Sequence, residues 1–260
     1  MGPVATLINP ATGKCTCLPR FPFKAGTFDF RVKTKTYIGF DQEGLKFKVL
    51  GLSIGEEGEA NTYQILSLDL DVESWKWREV NCPIEHSVPV ICDTNSICIN
   101  GNLYYTGRLP NREAAVIQFD LATESFSSSN PIPEKPRLGM DMYSWESGLL
   151  NVDGKVGVSV ALPHHKSRLW VLEDPVNNKW SSIIVSTPLS ILGPSTFVNR
   201  IIFQGFTRKG LSIFSQGQGP TLCLYYHNKE TEEVHTDHIA RAYMWQMFTF
   251  WNYVHTFMFA

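Results

Sequence analysis

The stretch Ser96–Pro133, SICINGNLYYTGRLPNREAAVIQFDLATESFSSSNPIP, restricts the fold of this 260-residue chain more than any other. It holds two strand pairs in succession, the first turning at Asn100-Gly101 and the second over Asp120-Leu121-Ala122-Thr123. Both positions of an Asn-Gly step tolerate positive φ, and Ile97, Ile99, Leu103 and Tyr105 alternate around it, so a tight hairpin is expected. Two such hairpins in about forty residues make one four-stranded antiparallel module.

The module recurs. An Asp or Asn at a strand end is followed six residues later by the residue that opens the returning strand: Asp41 and Phe47, Asp69 and Trp75, Asp120 and Phe126, Asp174 and Trp180, Asn228 and Val234, with Asn9 and Cys15 in the same register. The short polar side chain is expected to accept from backbone N–H groups about two residues on and fix the turn, while the bulky residue packs between sheets. From Asp69 onward the turns are spaced by roughly 50 residues, the period of kelch-type propellers. The expected fold is therefore all-β, with four-stranded units at about 37–80, 96–129, 142–185 and 198–238. The first hairpin (5–18) and the apolar end (247–259) would complete a fifth blade between them, giving one domain over 1–260 without exposed sheet edges. A β-sandwich of the same strands is the alternative, and no segment carries a helical 3.6-residue periodicity.

Composition narrows the function. A net charge of -2, with no run of Lys or Arg longer than two, supplies no field for nucleic acid. Six cysteines in 260 residues are too sparse for a disulfide scaffold, and no secretory leader or Asn-x-Ser/Thr site is present, so a cytoplasmic or nuclear location is expected. The terminal YMWQMFTFWNYVHTFMFA is interrupted by Gln246, Thr249, Asn252, His255 and Thr256, which argues for a buried closing strand over a membrane span. Pro3 spoils the nominal myristoylation pattern at Gly2.

No catalytic constellation emerges, and no cofactor or metal is expected. Gly51-Leu52-Ser53-Ile54-Gly55 matches a nucleophile elbow in spelling, but a strand and not a helix follows it. His235-x-x-His238, His164-His165 and Cys15-x-Cys17 lack the paired spacing of a zinc site, and Cys15 and Cys17 are expected to share a packed strand face. Gly217-Gln218-Gly219-Pro220 lacks the helix that would let it cradle a phosphate. Trp75, Trp77, Trp145, Trp170, Trp180, Phe119 and Phe126 fall in strand repeats and are expected in the core.

The motifs LINPATGKCTCLP, FDQEGLKFKVL, WKWREVNCP, ICINGNLYYTG, VIQFDLATESF and LWVLEDPVNNKW, in order over residues 7–180, resemble the F-box-associated domain of plant F-box proteins. The resemblance implies a kelch-like propeller that recruits protein targets to an SCF ubiquitin ligase for degradation. In full-length members a separate F-box binds the Skp adaptor and, through it, the cullin. No such helical segment precedes NPATG here, so the chain is expected to be an excised piece or truncated product that does not reach the adaptor by itself. A carbohydrate-binding propeller, or a truncated member without ligase function, is the competing reading. On a propeller, partners would meet loops at one end. Residues 107–112, 133–137 and 163–166 combine charge and proline, which selects Arg108, Arg112, Arg137, His164 and His165 as candidate partner contacts.

Overall fold

The computed structural model describes residues 6–8, 12–22, 33–54, 62–69, 71–88, 96–133, 147–192, 201–207, 209–218 and 221–240. Its described residues are strands and turns, with one 3-10 turn at Val72–Ser74. They fall into two compact units.

The first unit begins with a short hairpin of β1 (Thr6–Ile8) and β2 (Cys15–Cys17). A four-stranded sheet follows, built from β3 (Lys33–Asp41), β4 (Lys46–Ile54), β5 (Thr62–Leu68) and β6 (Arg78–Val80). The next contains β7 (Ser96–Ile99), β8 (Asn102–Arg108), β9 (Ala114–Asp120) and β10 (Ser125–Pro131). The second unit holds two more sheets. One consists of β11 (Ser147–Val152), β12 (Lys155–Leu162), β13 (Lys166–Asp174) and β14 (Lys179–Ser186), the other of β15 (Ile201–Phe206), β16 (Ser212–Gln218), β17 (Thr221–His227) and β18 (Val234–Ala240).

Each four-stranded sheet is an antiparallel meander of consecutive strands, the construction of a propeller blade and not of a cross-connected sandwich. The expected units coincide with these four sheets. Of the expected fifth, β1 and β2 are present as a two-stranded sheet, while 247–259 lies outside the described residues.

The turns work as the residue types dictate. Asn100 and Gly101 take φ of 50° and 76° between paired Ile99 and Asn102, so the hairpin closes in two residues. Asp41 Oδ1 accepts from the N–H of Glu43 at 3.0 Å and Gly44 at 2.9 Å, and Asp120 Oδ1 from Thr123 at 2.8 Å. Asp174 Oδ1 accepts from Val176 and Asn177 at 3.0 and 3.1 Å, and Asn228 Oδ1 from Glu230 at 2.9 Å. Asp69 departs from the series: Asp71 performs the capping, through Glu73 N–H at 3.0 Å, and the Asp69 carbonyl instead accepts from Trp75 Nε1 at 2.9 Å. Asn9 lies outside the described residues.

Packing follows strand alternation. In the first unit Tyr37, Leu50, Leu52 and Ile65 of one sheet meet Leu103, Tyr105, Ile117 and Phe119 of the next in a single buried cluster. Phe126 sits between the sheets, 5.0 Å from the Tyr63 ring and 4.9 Å from Phe119. In the second unit Leu169 and Val171 pack on Phe203, Phe214, Cys223 and Tyr225. Burying a large apolar side chain contributes about 1.5–3 kcal/mol, so these clusters dominate stability. The expectation for the aromatics needs correcting in part. Trp75, Phe119 and Phe126 are buried, but Trp77, Trp170 and Trp180 are only half-buried, and Trp145 lies outside the described residues. Trp180 Nε1 donates to Asn178 Oδ1 beside its own turn, which keeps that ring at the sheet margin.

Charge also ties the first unit's two sheets together. Lys48 is 4% exposed and donates to Asp41 Oδ2 at 2.9 Å, Glu124 Oε1 at 2.9 Å and the Leu121 carbonyl at 2.6 Å. Glu124 in turn receives Arg78 at 2.7 Å. Burial pushes the Asp41 and Glu124 carboxyls up, but this is outweighed: Gly44 N–H and Lys48 hold Asp41 below its ordinary value, and Arg78 and Lys48 do the same for Glu124. Burial likewise pulls Lys48 down, and its two carboxylate partners more than reverse that.

Candidate interaction site

The hairpin joining β8 to β9 is the best-defined candidate surface. Arg108 pairs with Ala114 across the strands, and Leu109 N–H donates to the Glu113 carbonyl at 2.9 Å. Inside that closing bond Arg112 N–H donates to the Leu109 carbonyl at 2.8 Å, and Arg112 takes φ of 68°. A three-residue loop with a left-handed third position is a favoured hairpin geometry. Asn111 locks it, accepting from Glu113 N–H at 3.0 Å and donating to Glu113 Oε2 at 2.8 Å. The segment selected from sequence for its charge and proline is thus a closed turn. Leu109 packs on the core below, while Pro110, Asn111, Arg112 and Glu113 are exposed.

A second segment braces the hairpin. Ser87 and Arg108 exchange backbone bonds of 2.8 Å in both directions, adding an isolated antiparallel bridge at the last residue of β8. His86 packs beside Gly107, where a Cβ would stand 3.0 Å from the imidazole Cδ2 and 3.1 Å from Ile117, so a larger residue would crowd the ring. His86 Nδ1–H donates to the Ile84 carbonyl at 2.8 Å. Its Nε2 therefore accepts, from Tyr105 at 2.8 Å and Tyr63 at 3.2 Å. Burial lowers the His86 pKa more than the Ile84 carbonyl raises it, keeping the ring neutral in this tyrosine pocket. Tyr37 stacks on Tyr105 with centroids 4.9 Å apart.

Of the five candidate contacts, Arg108 and Arg112 are brought together in this hairpin of the first unit. Arg112 is exposed and Arg108 half-buried. His164 and His165 occupy the tip between β12 and β13 in the second unit, both exposed, with φ of 59° and 55°. The His165 carbonyl accepts from Thr187 N–H at 2.9 Å. Arg137 lies outside the described residues. Asn111, Ser87 and His86 were not singled out in the sequence. Pro110-Asn111 is a turn signal that could have found the first, but nothing local marks the other two.

The remaining motifs resolve individually. Ser53 lies inside β4, its hydroxyl paired with Thr62 across to β5, so it is not presented on a strand-to-helix elbow. Cys15 and Cys17 share a strand face as expected, but that face is exposed and not packed, because β1 and β2 are only three residues long. His235 pairs with Asp237 at 3.1 Å, and His238 Nδ1 lies 3.3 Å from Cys223 Sγ. Among the described residues no three metal-ligating side chains converge, and no helix is long and apolar enough to cross a membrane. What the hairpin offers is a closed turn with Pro110, Asn111, Arg112 and Glu113 exposed at its tip.

The chain is 32% identical to the Arabidopsis thaliana F-box protein At1g53550 over 190 residues, covering 72% of this chain and 44% of that protein. It is 28% identical to the F-box protein At3g23960 of the same plant, covering 86% and 55%, and 27% identical to the F-box protein DOR, covering 68% and 42%. The chain thus spans about half the length of the curated relatives it matches. Among solved structures, the periplasmic gluconolactonase PpgL of Pseudomonas aeruginosa aligns with a TM-score of 0.46 at 10% identity, covering 90% of this chain and 78% of that one. The sequence matches the F-box associated beta propeller domain over residues 3–258, and the chain belongs to that family.

Proposed function

We propose that this chain is the target-recognition part of a receptor of the SCF ubiquitin-ligase type, acting without catalysis of its own in the cytoplasm or nucleus. The single observation that carries the reading is the β8–β9 hairpin. Its backbone is closed on itself and braced by Ser87 and His86, while Arg112 stays exposed at its tip. Loops held by a scaffold are where binding proteins place recognition, and arginine with its several donors is favoured at protein contacts. Family membership supplies the ligase context, with the Skp adaptor and cullin reached through an F-box elsewhere in such receptors.

The test joins this chain to an F-box and compares its retained proteins in plant extract with those of the Arg108→Glu/Arg112→Glu variant and the bare chain. The adaptor is expected with both F-box fusions and not with the bare chain. Target proteins should be shared by the bare chain and the unmodified fusion and lost from the double variant. Identical capture by the double variant would remove the hairpin from recognition.

A further inference from the structure

The strand that ends each four-stranded sheet is treated differently in the four cases. β6 has only three residues. β10 is broken by a bulge between Phe126 and Ser128 and ends at Pro131. β18 carries the His235–Asp237 pair along its length. Shortness, bulges, proline and charge are the devices that stop an edge from accepting another strand.

β14 carries few of them. It runs for eight residues, KWSSIIVS, of which six are exposed. The bulge in its pairing falls at Leu172 and Asp174. From Val171↔Ser181 to Lys166↔Ser186 the register is unbroken, and Ser181 to Ser186 contains neither charge nor proline. Ile183 and Ile184 are 51% and 50% exposed and, being adjacent in a strand, face opposite sides of the sheet.

Charge decides what fits there. On the Ile184 side the register sets Arg168 next to Ile184, Lys166 next to Ser186 and Trp170 next to Ser182. The Arg168 guanidinium lies over the Trp170 ring at 5.7 Å. β12 continues that side with Val158, Val160 and Leu162, so none of these neighbouring positions is acidic. Glu173 has the opposite parity and is held by Lys155 and by Ser181.

We propose that β14 accepts an extended acidic segment of a partner protein as an added fifth strand. Its carboxylates lie on the Arg168 side and its apolar residues over Ile183 and Val185. Main-chain bonds along the edge supply affinity, and the alternation of side chains supplies the choice of partner. A second copy of β14 fits worse, because antiparallel pairing about a two-fold axis would bring both copies' Lys166 and Arg168 onto one side of the joined sheet. The proposal does not depend on the β8–β9 hairpin as a recognition surface.

Fluorescence anisotropy with the full chain and a labelled octapeptide, Glu-Ile-Glu-Val-Glu-Ile-Glu-Val, tests it. The acidic peptide is expected to bind saturably, and its counterpart with lysine for every glutamate at least about tenfold more weakly. N-methylation of alternate peptide bonds should abolish binding on one of the two alternations. Arg168→Glu and, as an exposed substitution that leaves the Trp170 stack in place, Lys166→Glu should each weaken it, with melting curves showing that the variants are folded. Arg112→Glu should leave it unchanged, which separates this edge from the hairpin. Equal binding of the acidic and basic peptides, no saturable binding, or indifference to both N-methylated forms would overturn the proposal. A concentration-dependent dimer abolished by Ile183→Lys would overturn it in favour of a second copy.

Discussion

Lys48→Met is the sharpest test of how the first unit is held together. Lys48 and Asp41 are each 4% exposed and Glu124 is 18% exposed, so the substitution strands two carboxylates and the Leu121 carbonyl in a site that water barely reaches. Removing one member of a buried ion pair costs about 3–5 kcal/mol. Asp41 keeps the N–H groups of Glu43 and Gly44, and Glu124 keeps Arg78, which places the expected loss near the bottom of that range, about 3 kcal/mol. The assay is the urea midpoint at neutral pH, with Lys155→Met as the comparison. Lys155 is half exposed and pairs with Glu173 at the surface, where solvent and salt screen the pair and little stability is expected from it. Asp41→Asn keeps an acceptor for the turn and removes the stranded charge, so in the Lys48→Met background it should recover part of the loss. Added salt should change the Lys48 effect little. If Lys48→Met costs no more than Lys155→Met, the argument that this network ties the two sheets is wrong.

Further outcomes follow from other sites. Because His86 is held below its ordinary value of 6.5, the folded chain resists the proton that the unfolded chain accepts. Stability is therefore full above that value and declines as pH falls through the folded pKa, and urea midpoints from pH 7.5 to 5 should show a decline that His86→Gln reduces. A second decline follows below the ordinary values of 4.5 and 3.8 as Glu124 and Asp41 are protonated, since both are depressed in the folded chain. Gly51→Ala should destabilise by about 1–3 kcal/mol in the same urea assay, because its methyl would fall 2.9 Å from both Phe21 Cδ2 and Trp77 Cζ3. Arg112→Gly should raise the unfolding free energy obtained from the urea curve by about 1 kcal/mol, since glycine takes the 68° φ without strain, while lowering target capture.

The parts legible in the sequence were those written in local contacts. Asn100-Gly101 and the Asp and Asn turns are closed by atoms a few residues apart, and the aspartates that open them marked the hairpins inside each sheet. What stayed hidden depends on register between sheets. Lys48 looks like an ordinary solvated strand residue until Glu124 and Leu121 arrive from the neighbouring sheet. His86 sits in a stretch with no periodic signal, and only the Ser87–Arg108 bridge places it among Tyr63 and Tyr105. Trp180 misled because its spacing matched the buried Phe126, whereas its own turn supplied a partner at the margin. For the candidate site, the charge of Arg108 and Arg112 was readable, but the closure of the loop that presents them was not.

That closure bears on how the family can diversify. Because Leu109 and Glu113 seal the β8–β9 loop with their own backbone bond, the three residues between them form a cassette whose content is decoupled from strand register. Residues 110 and 112 can then be exchanged with Asn111 kept as the lock, or the cassette lengthened at only a slowly rising entropic cost, while the sheet beneath keeps its pairing. A library randomised at positions 110 and 112, with glycine or asparagine favoured at the left-handed position 112, would thus vary the exposed chemistry of the tip on an unaltered frame.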